Sequence, residues 1–422
     1  MKIASTYRLR CLASRSSRRD EAPSAVVPAA PAAVPAARGR RFTRARLALA
    51  AGTLPLAVLA ACAAPETGVT PQAGAPVATV EASIPAPPST PAPPSTPVPP
   101  PPPTATPEPE VVAPPAFEVI ADRHGGTVLD RDFPDPFVLA EGDTWLAYAT
   151  NAHGMNVPVF EPGAELVDAL PELGAWARPG VHRVWAPAVA KTGDGQYALF
   201  YSAEERSTGL MAVGVAKADD PRGPFVDTGG PLVSVGANGA TAAGGAIDAA
   251  TFTEGGVVHL VWKNDGNSGG GATNIWMQRL SPDGRALEGD PVALLGEAGH
   301  EAWEVASYTA PRPLIEGPTL TKHGDTYYLF YSANDWHSEH YGINYATSDD
   351  LHGPFTRAPG PWLRSHGDRA GPGGQEIFST EDGRTWMAFH AWHPDRPGYD
   401  VGGARRLVVA PLEFTAEGPR LG

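Results

Sequence analysis

Three carboxylic side chains recur at one position of a repeated pattern. Asp135 stands 10 residues before the phrase WLAYAT at Trp145, Asp248 stands 11 before HLVWKN at His259, and Glu316 stands 11 before YYLFYS at Tyr327. Taken singly, each has a bland reading: Asp135-Pro136 as a turn, Asp248 as a loop cap, Glu316 as a turn before Gly317-Pro318. A shared phase in three repeats is not explained that way. Residues at one phase of a radial repeat lie on one ring, so the three carboxyl groups would converge on a common axis. Carboxyls gathered in a cleft hand protons to and from reacting oxygens. Acid–base chemistry is therefore the first expectation.

The elements that must position them follow from the same repeat. The phrases start at Trp145, Tyr197, His259, Tyr327 and Trp386, at spacings of 52, 62, 68 and 59 residues. Each alternates aromatic, apolar and small residues, as in a strand buried on both faces. A second phrase, GVAKADDPRGPF at 214–225, returns as NYATSDDLHGPF at 344–355 and marks a third strand and the turn after it. Long helical periodicity is absent. The fold class is all-β, and five repeats of about 60 residues predict a five-bladed β-propeller over 117–422. The strand before each repeated phrase should be the innermost of its blade. In the second repeat that slot holds Trp185-Ala186-Pro187, and in the fifth Gly374-Gln375-Glu376.

Charge divides the chain of 422 residues. Residues 1–46 carry 11 basic and two acidic side chains, 62–116 carry four acids and no base, and 117–422 carry 21 bases against 40 acids. So acidic a domain repels nucleic acid and anionic membrane and suits a neutral ligand. The two cysteines, Cys11 and Cys62, both precede it, which excludes a disulfide framework or a cysteine-based zinc site there. Arginines 40, 41, 44 and 46 lead into the apolar stretch Leu47–Ala61, short for a membrane span and suited to a signal peptide. It ends Leu59-Ala60-Ala61-Cys62, which resembles a bacterial lipobox and implies cleavage before Cys62 and lipid on its sulfur. An ordinary signal peptide cut at an Ala-x-Ala site is the alternative. Residues 1–61 thus form a basic extension and leader. Residues 62–116, with 19 prolines, form a disordered linker that cannot build a core. As polyproline II that linker would reach up to roughly 170 Å. The expected location is the cell surface of a bacterium, with the membrane met only through the lipid anchor.

RDFPDPFVL (131–139), VWAPAV (184–189), AID (246–248), LVWKND (260–265) and EGP (316–318) stand in an order and spacing similar to glycoside hydrolase family 43. The resemblance covers about 117–422. It implies a five-bladed propeller that hydrolyses arabinofuranosyl or xylosyl linkages with inversion. It also implies Asp135 as general base, Glu316 as general acid, and Asp248 as the residue that orients and tunes the acid. Inverting hydrolysis agrees with paired carboxyls, one protonating the leaving oxygen and one activating water across a gap of roughly 6.5–9.5 Å. A third carboxylate near Glu316 would disfavour its ionisation. Trp185 reads either as a sugar platform or as a core tryptophan, and Phe133 has the same two readings. The resemblance brings an arginine to the innermost sugar; Arg405 and Arg406, which precede the apolar strand at 407–412, both offer one, with Arg405 named as the candidate.

The sequence departs from the family in blade five. Many members carry Gly-Pro-Gly-His there, and the His helps hold a central cation. Here Gly374 replaces that His, so no cofactor is required, although waters with Gln375 or Glu376 could still hold calcium. His390 and His393 read as structural or rim residues. The substrate implied is a neutral plant polysaccharide or oligosaccharide (arabinan, arabinoxylan or xylo-oligosaccharides), and the chain is expected to be a monomer. The short stretch after the fifth repeat favours arabinan or arabinofuranosides over xylosides. Two alternatives stand beside this: a fructan-active five-bladed enzyme, and a non-catalytic sugar-binding surface lipoprotein on the same fold.

Overall fold

The computed structural model describes residues 126–141, 144–180, 183–235 and 244–422. The leader, the proline-rich linker and Cys62 lie outside the described residues. The described residues form five antiparallel sheets, one per sequence repeat. Blade 1 comprises Phe137–Glu141, Thr144–Tyr148, Pro158–Phe160 and Val167–Asp168; blade 2 comprises Val184–Lys191, Tyr197–Glu204, Met211–Ala218 and Val226–Val233. Blade 3 comprises Ala246–Glu254, Val257–Asn264, Ile275–Leu280 and Leu287–Leu295; blade 4 comprises Ile315–His323, Thr326–Ala333, Gly342–Ser348 and Thr356–Arg357. Blade 5 takes Ala370–Ser379, Thr385–Trp392 and Arg406–Thr415 from the end of the chain, and Thr127–Asp132 from its beginning as the outermost strand. That last pairing closes the ring, so no blade is left with an open neighbour.

Each repeated phrase is the second strand of its blade. In blade 2 this strand is buried along its whole length, because both of its faces pack on adjacent blades. Five apolar clusters fill the five interfaces between blades, each drawing side chains from two neighbours. The first strands pack on one another in order around the axis, which makes them the innermost. The five-bladed all-β propeller predicted from the repeat is the fold observed.

A local irregularity recurs on these inner strands. The ladder register shifts between Trp185 and Ala188, Ile247 and Ala250, Glu316 and Thr319, and Gly373 and Glu376. Each blade has a residue that turns left-handed at or just before this strand: Asp135 (φ 50°), Ala186 (40°), Asp248 (57°), Gly317 (54°) and Gly374 (56°), with Gly371 (53°) as a second one in blade 5. Bulges of this kind re-aim side chains beside functional sites. Three of the five are not glycine, and a left-handed backbone at such residues costs about 1–2 kcal/mol each. Strain held in step around the axis marks the centre of the channel.

Candidate active site

Asp135 sits on the turn into the inner strand of blade 1, with its carboxyl in a cage of donors. Thr150 Oγ1 donates to Oδ2 at 2.7 Å, and Arg405 Nη1 reaches Oδ1 and Oδ2 at 3.2 and 3.3 Å. The Thr150 oxygen in turn accepts the Ala186 amide at 2.8 Å, which ties blades 1 and 2 together at the site. Burial alone would raise the carboxyl, but the Arg405 charge and the hydrogen bonds outweigh it and hold Asp135 below the ordinary range. A carboxylate kept ionised beside water is suited to act as a base. Arg405 is itself fixed by stacking over Trp336 at 4.9 Å and Tyr399 at 5.6 Å.

Glu316 occupies the inner strand of blade 4 and is nearly buried. Lys263 Nζ donates to Oε2 at 2.7 Å and the Tyr341 hydroxyl to Oε1 at 2.8 Å. Asp248 approaches the same segment from blade 3, where its Oδ2 accepts the Gly317 amide at 2.9 Å. Burial pushes the Asp248 carboxyl up to about 7; Lys263 opposes, and the charges of Glu316 and Asp135 reinforce the rise. Lys263 is fully buried, yet its carboxylate neighbours overcome that burial and keep it a cation. Glu316, Asp248 and, at 3.9 Å, Asp265 thus share one buried ammonium. One cation does not offset all of these charges, which agrees with an Asp248 carboxyl that keeps its proton up to about neutral pH.

Asp135, Asp248 and Glu316 line one cavity of about 670 Å³, together with Trp185, Arg405, Tyr308 and Trp336. Trp185 stands half-buried on its wall, with the Arg183 guanidinium 4.9 Å over its ring. Arg405 lines the cavity and also holds the Asp135 carboxylate. Phe133 does not reach it. Its side chain is fully buried between blades 1 and 5, edge-on to Phe160, so the platform reading is corrected in favour of core. Four contributors went unassigned in the sequence. Lys263 could have been found, since a lysine inside the apolar phrase LVWKND needs a buried partner; Thr150, Tyr341 and Trp336 give no such signal.

The family resemblance implies a central cation. His390 is fully buried, and its Nδ1 accepts the Asp135 amide at 3.1 Å. Burial and the Arg405 charge press the imidazole down to about 3, so the ring is neutral, and the Asp135 amide at Nδ1 assigns its single proton to Nε2, which is buried without a hydrogen-bond partner. That nitrogen then has no lone pair for a metal. Among the described residues no group of three or more His, Cys, Asp or Glu side chains could hold an ion. Gln375 is engaged by Ser332 and Gly317 and Glu376 by Thr319, so in this arrangement the described side chains do not make up a cation site.

The sequence matches the profile of glycosyl hydrolases family 43 over residues 126–419. A beta-D-galactofuranosidase of Aspergillus niger is 27% identical over 268 residues, covering 62% of this chain and 66% of the relative, just under two thirds of its length. A beta-xylosidase of Xylanibacter ruminicola is 28% identical over 252 residues, covering 53% of this chain and 70% of the relative. The crystal structure of a thermostable family-43 glycoside hydrolase superposes with a TM-score of 0.59 at 28% identity, over 69% of this chain and 92% of the other. Five blades, carboxyls on the axis and a profile match over most of the chain agree: this protein belongs to glycosyl hydrolases family 43 and is a glycoside hydrolase.

Proposed function

We propose that the protein is a secreted, inverting glycosidase that cleaves α-L-arabinofuranosyl or β-xylosyl linkages of plant cell-wall polysaccharides. One observation carries the reading. Three carboxyls from three blades share a cavity, one held ionised by Arg405 and two competing for Lys263. In this scheme Asp135 takes a proton from a water molecule, which attacks the anomeric carbon from the face opposite the leaving group. Glu316 delivers a proton to the glycosidic oxygen as the bond breaks. Asp248 steadies the Glu316-Gly317 backbone and sets the charge beside the acid. The half-buried Trp185 offers an apolar face to a sugar ring, and the acidity of the domain suits a neutral glycan.

The names of the two relatives divide between a furanoside and a xyloside, so the screen must span both. Purified full-length protein would be assayed on linear arabinan, arabinoxylan, and aryl arabinofuranosides, galactofuranosides and xylosides. Release of reducing sugar from at least one pentose substrate is expected. Binding without release on every substrate would favour the non-catalytic alternative. The leader supports a further part of the proposal: export, lipidation at Cys62, and display at the cell surface as a monomer.

A further inference from the structure

We infer that His390 and Tyr341 form a positioning bridge between the two catalytic carboxyls, and that this bridge takes the place of a central cation. The inference rests on the acid and base roles proposed above. The two rings stack with centroids 6.0 Å apart and planes within 8°. From one side of the stack, His390 Nδ1 accepts the backbone amide of Asp135. From the other, the Tyr341 hydroxyl donates to Glu316. One rigid aromatic pair thus grips the backbone of the base and the carboxyl of the acid, which lie 181 residues apart in the chain. The His390 bond also falls on the amide of a residue whose backbone is left-handed, where Asp135 needs an external hold.

The glycines beneath the bridge show that it is built in. A Cβ on Gly373 would lie 2.0 Å from the Tyr341 ring. A Cβ on Gly374 would lie 2.7 Å from both His390 Nδ1 and Asp135 Oδ1. Gly374, which in the sequence looks like a lost metal ligand, is the residue that lets His390 reach the base. Its own amide is held by Ser332 Oγ at 2.9 Å, and the neighbouring Gln375 accepts from the same hydroxyl at 2.7 Å. A histidine at 374 and the His390–Asp135 bond exclude one another by volume.

The test separates a hydrogen-bond acceptor from mere bulk. In His390→Asn the side-chain oxygen lies as many bonds from Cβ as Nδ1 does and can still accept the Asp135 amide. In His390→Leu it cannot. On the best substrate, the Asn variant should keep activity within about tenfold of wild type, while the Leu variant loses about 10²-fold in kcat with little change in KM, as expected when a catalytic group is misplaced by about 1 Å. Chelation of the wild type should leave its rate unchanged. Gly374→His should be inactive and calcium should not restore it. A readout independent of turnover is the nitrogen-15 spectrum of labelled histidines in the full-length protein. The set of signals lost in His390→Asn should report a neutral ring protonated at Nε2, unmoved by calcium or chelator. Equal activity of the Asn and Leu variants, a chelator-sensitive loss reversed by calcium, or an Nδ1-protonated ring would overturn the inference. A wild type inert on every glycoside with the expected spectrum would count against the proposed function and leave the histidine geometry standing.

Discussion

The roles proposed for Glu316 and Asp135 differ, and kinetics should separate them. Protonation matters most when the leaving group is poor, and acid–base groups contribute about 10²–10⁴-fold. Glu316→Gln should therefore cripple hydrolysis of a natural glycan while sparing much of the rate on an aryl glycoside with an acidic leaving group. Asp135→Asn should damage both alike, since both need the same water. The pH profile follows from the same charges. Asp135 must be ionised, and its carboxyl is held below 3.8, so the acid limb of kcat/KM should fall only beneath that value. Asp248 gives up its proton as pH rises through about 7, which places a new negative charge beside Glu316, so kcat/KM should bend there. Asp248→Asn removes that titration, and the bend near pH 7 should disappear. A bend that stays in place would show that Asp248 is not the group responsible. The carboxyls were legible because their phase repeats, and Lys263 could be read from a lysine inside an apolar phrase; that Arg405 and Thr150 set the charge of Asp135 was not legible, because they reach it from other segments of the chain.

The bulged inner strand is the element on which the site depends. Its left-handed residue is Asp135, Ala186, Asp248, Gly317 and Gly374 in blades 1 to 5, so the backbone device is shared and only the side chain varies. Ala186 has no evident need for its Cβ. Ala186→Gly should relieve strain and raise thermal stability, or leave it unchanged where unfolded-chain entropy offsets the gain of about 1 kcal/mol; a loss of more than that would contradict the strain. Phe133 illustrates what pattern alone cannot resolve. An aromatic residue two positions from a catalytic aspartate can face the channel or the neighbouring blade, and the close turn at Pro134 sends it into the blade 1–blade 5 interface. Phe133→Leu should accordingly cost roughly 1–2 kcal/mol of stability while leaving KM within about twofold. His390 is the converse case. Read from its strand as structural or rim, it lies at the axis against Asp135, because the two glycines at 373 and 374 open a space that only the folded sheet reveals.

At the scale of the whole molecule, ring closure joins Thr127–Asp132 to the last blade, and with it Asp132, whose carboxylate accepts the Arg405 amide at 2.9 Å. The two ends of the described chain therefore meet beside the base, and trimming into 127–132 should abolish activity together with folding. The leader gives a separate expectation: full-length protein should partition with membranes, and Cys62→Ala should release it. The blade count was readable from five spaced phrases, while the identity of the sugar was not, since the cavity is lined by side chains such as Trp185, Tyr308 and Tyr399 that no single phrase brings together. The central claim is that water attacks directly, with Asp135 as base and no covalent intermediate on the enzyme. Following the first product in real time by proton NMR tests this most directly. The inverted anomer should appear first and then equilibrate with the other; first appearance of the retained anomer would mean a glycosyl–enzyme intermediate and would contradict the assigned roles.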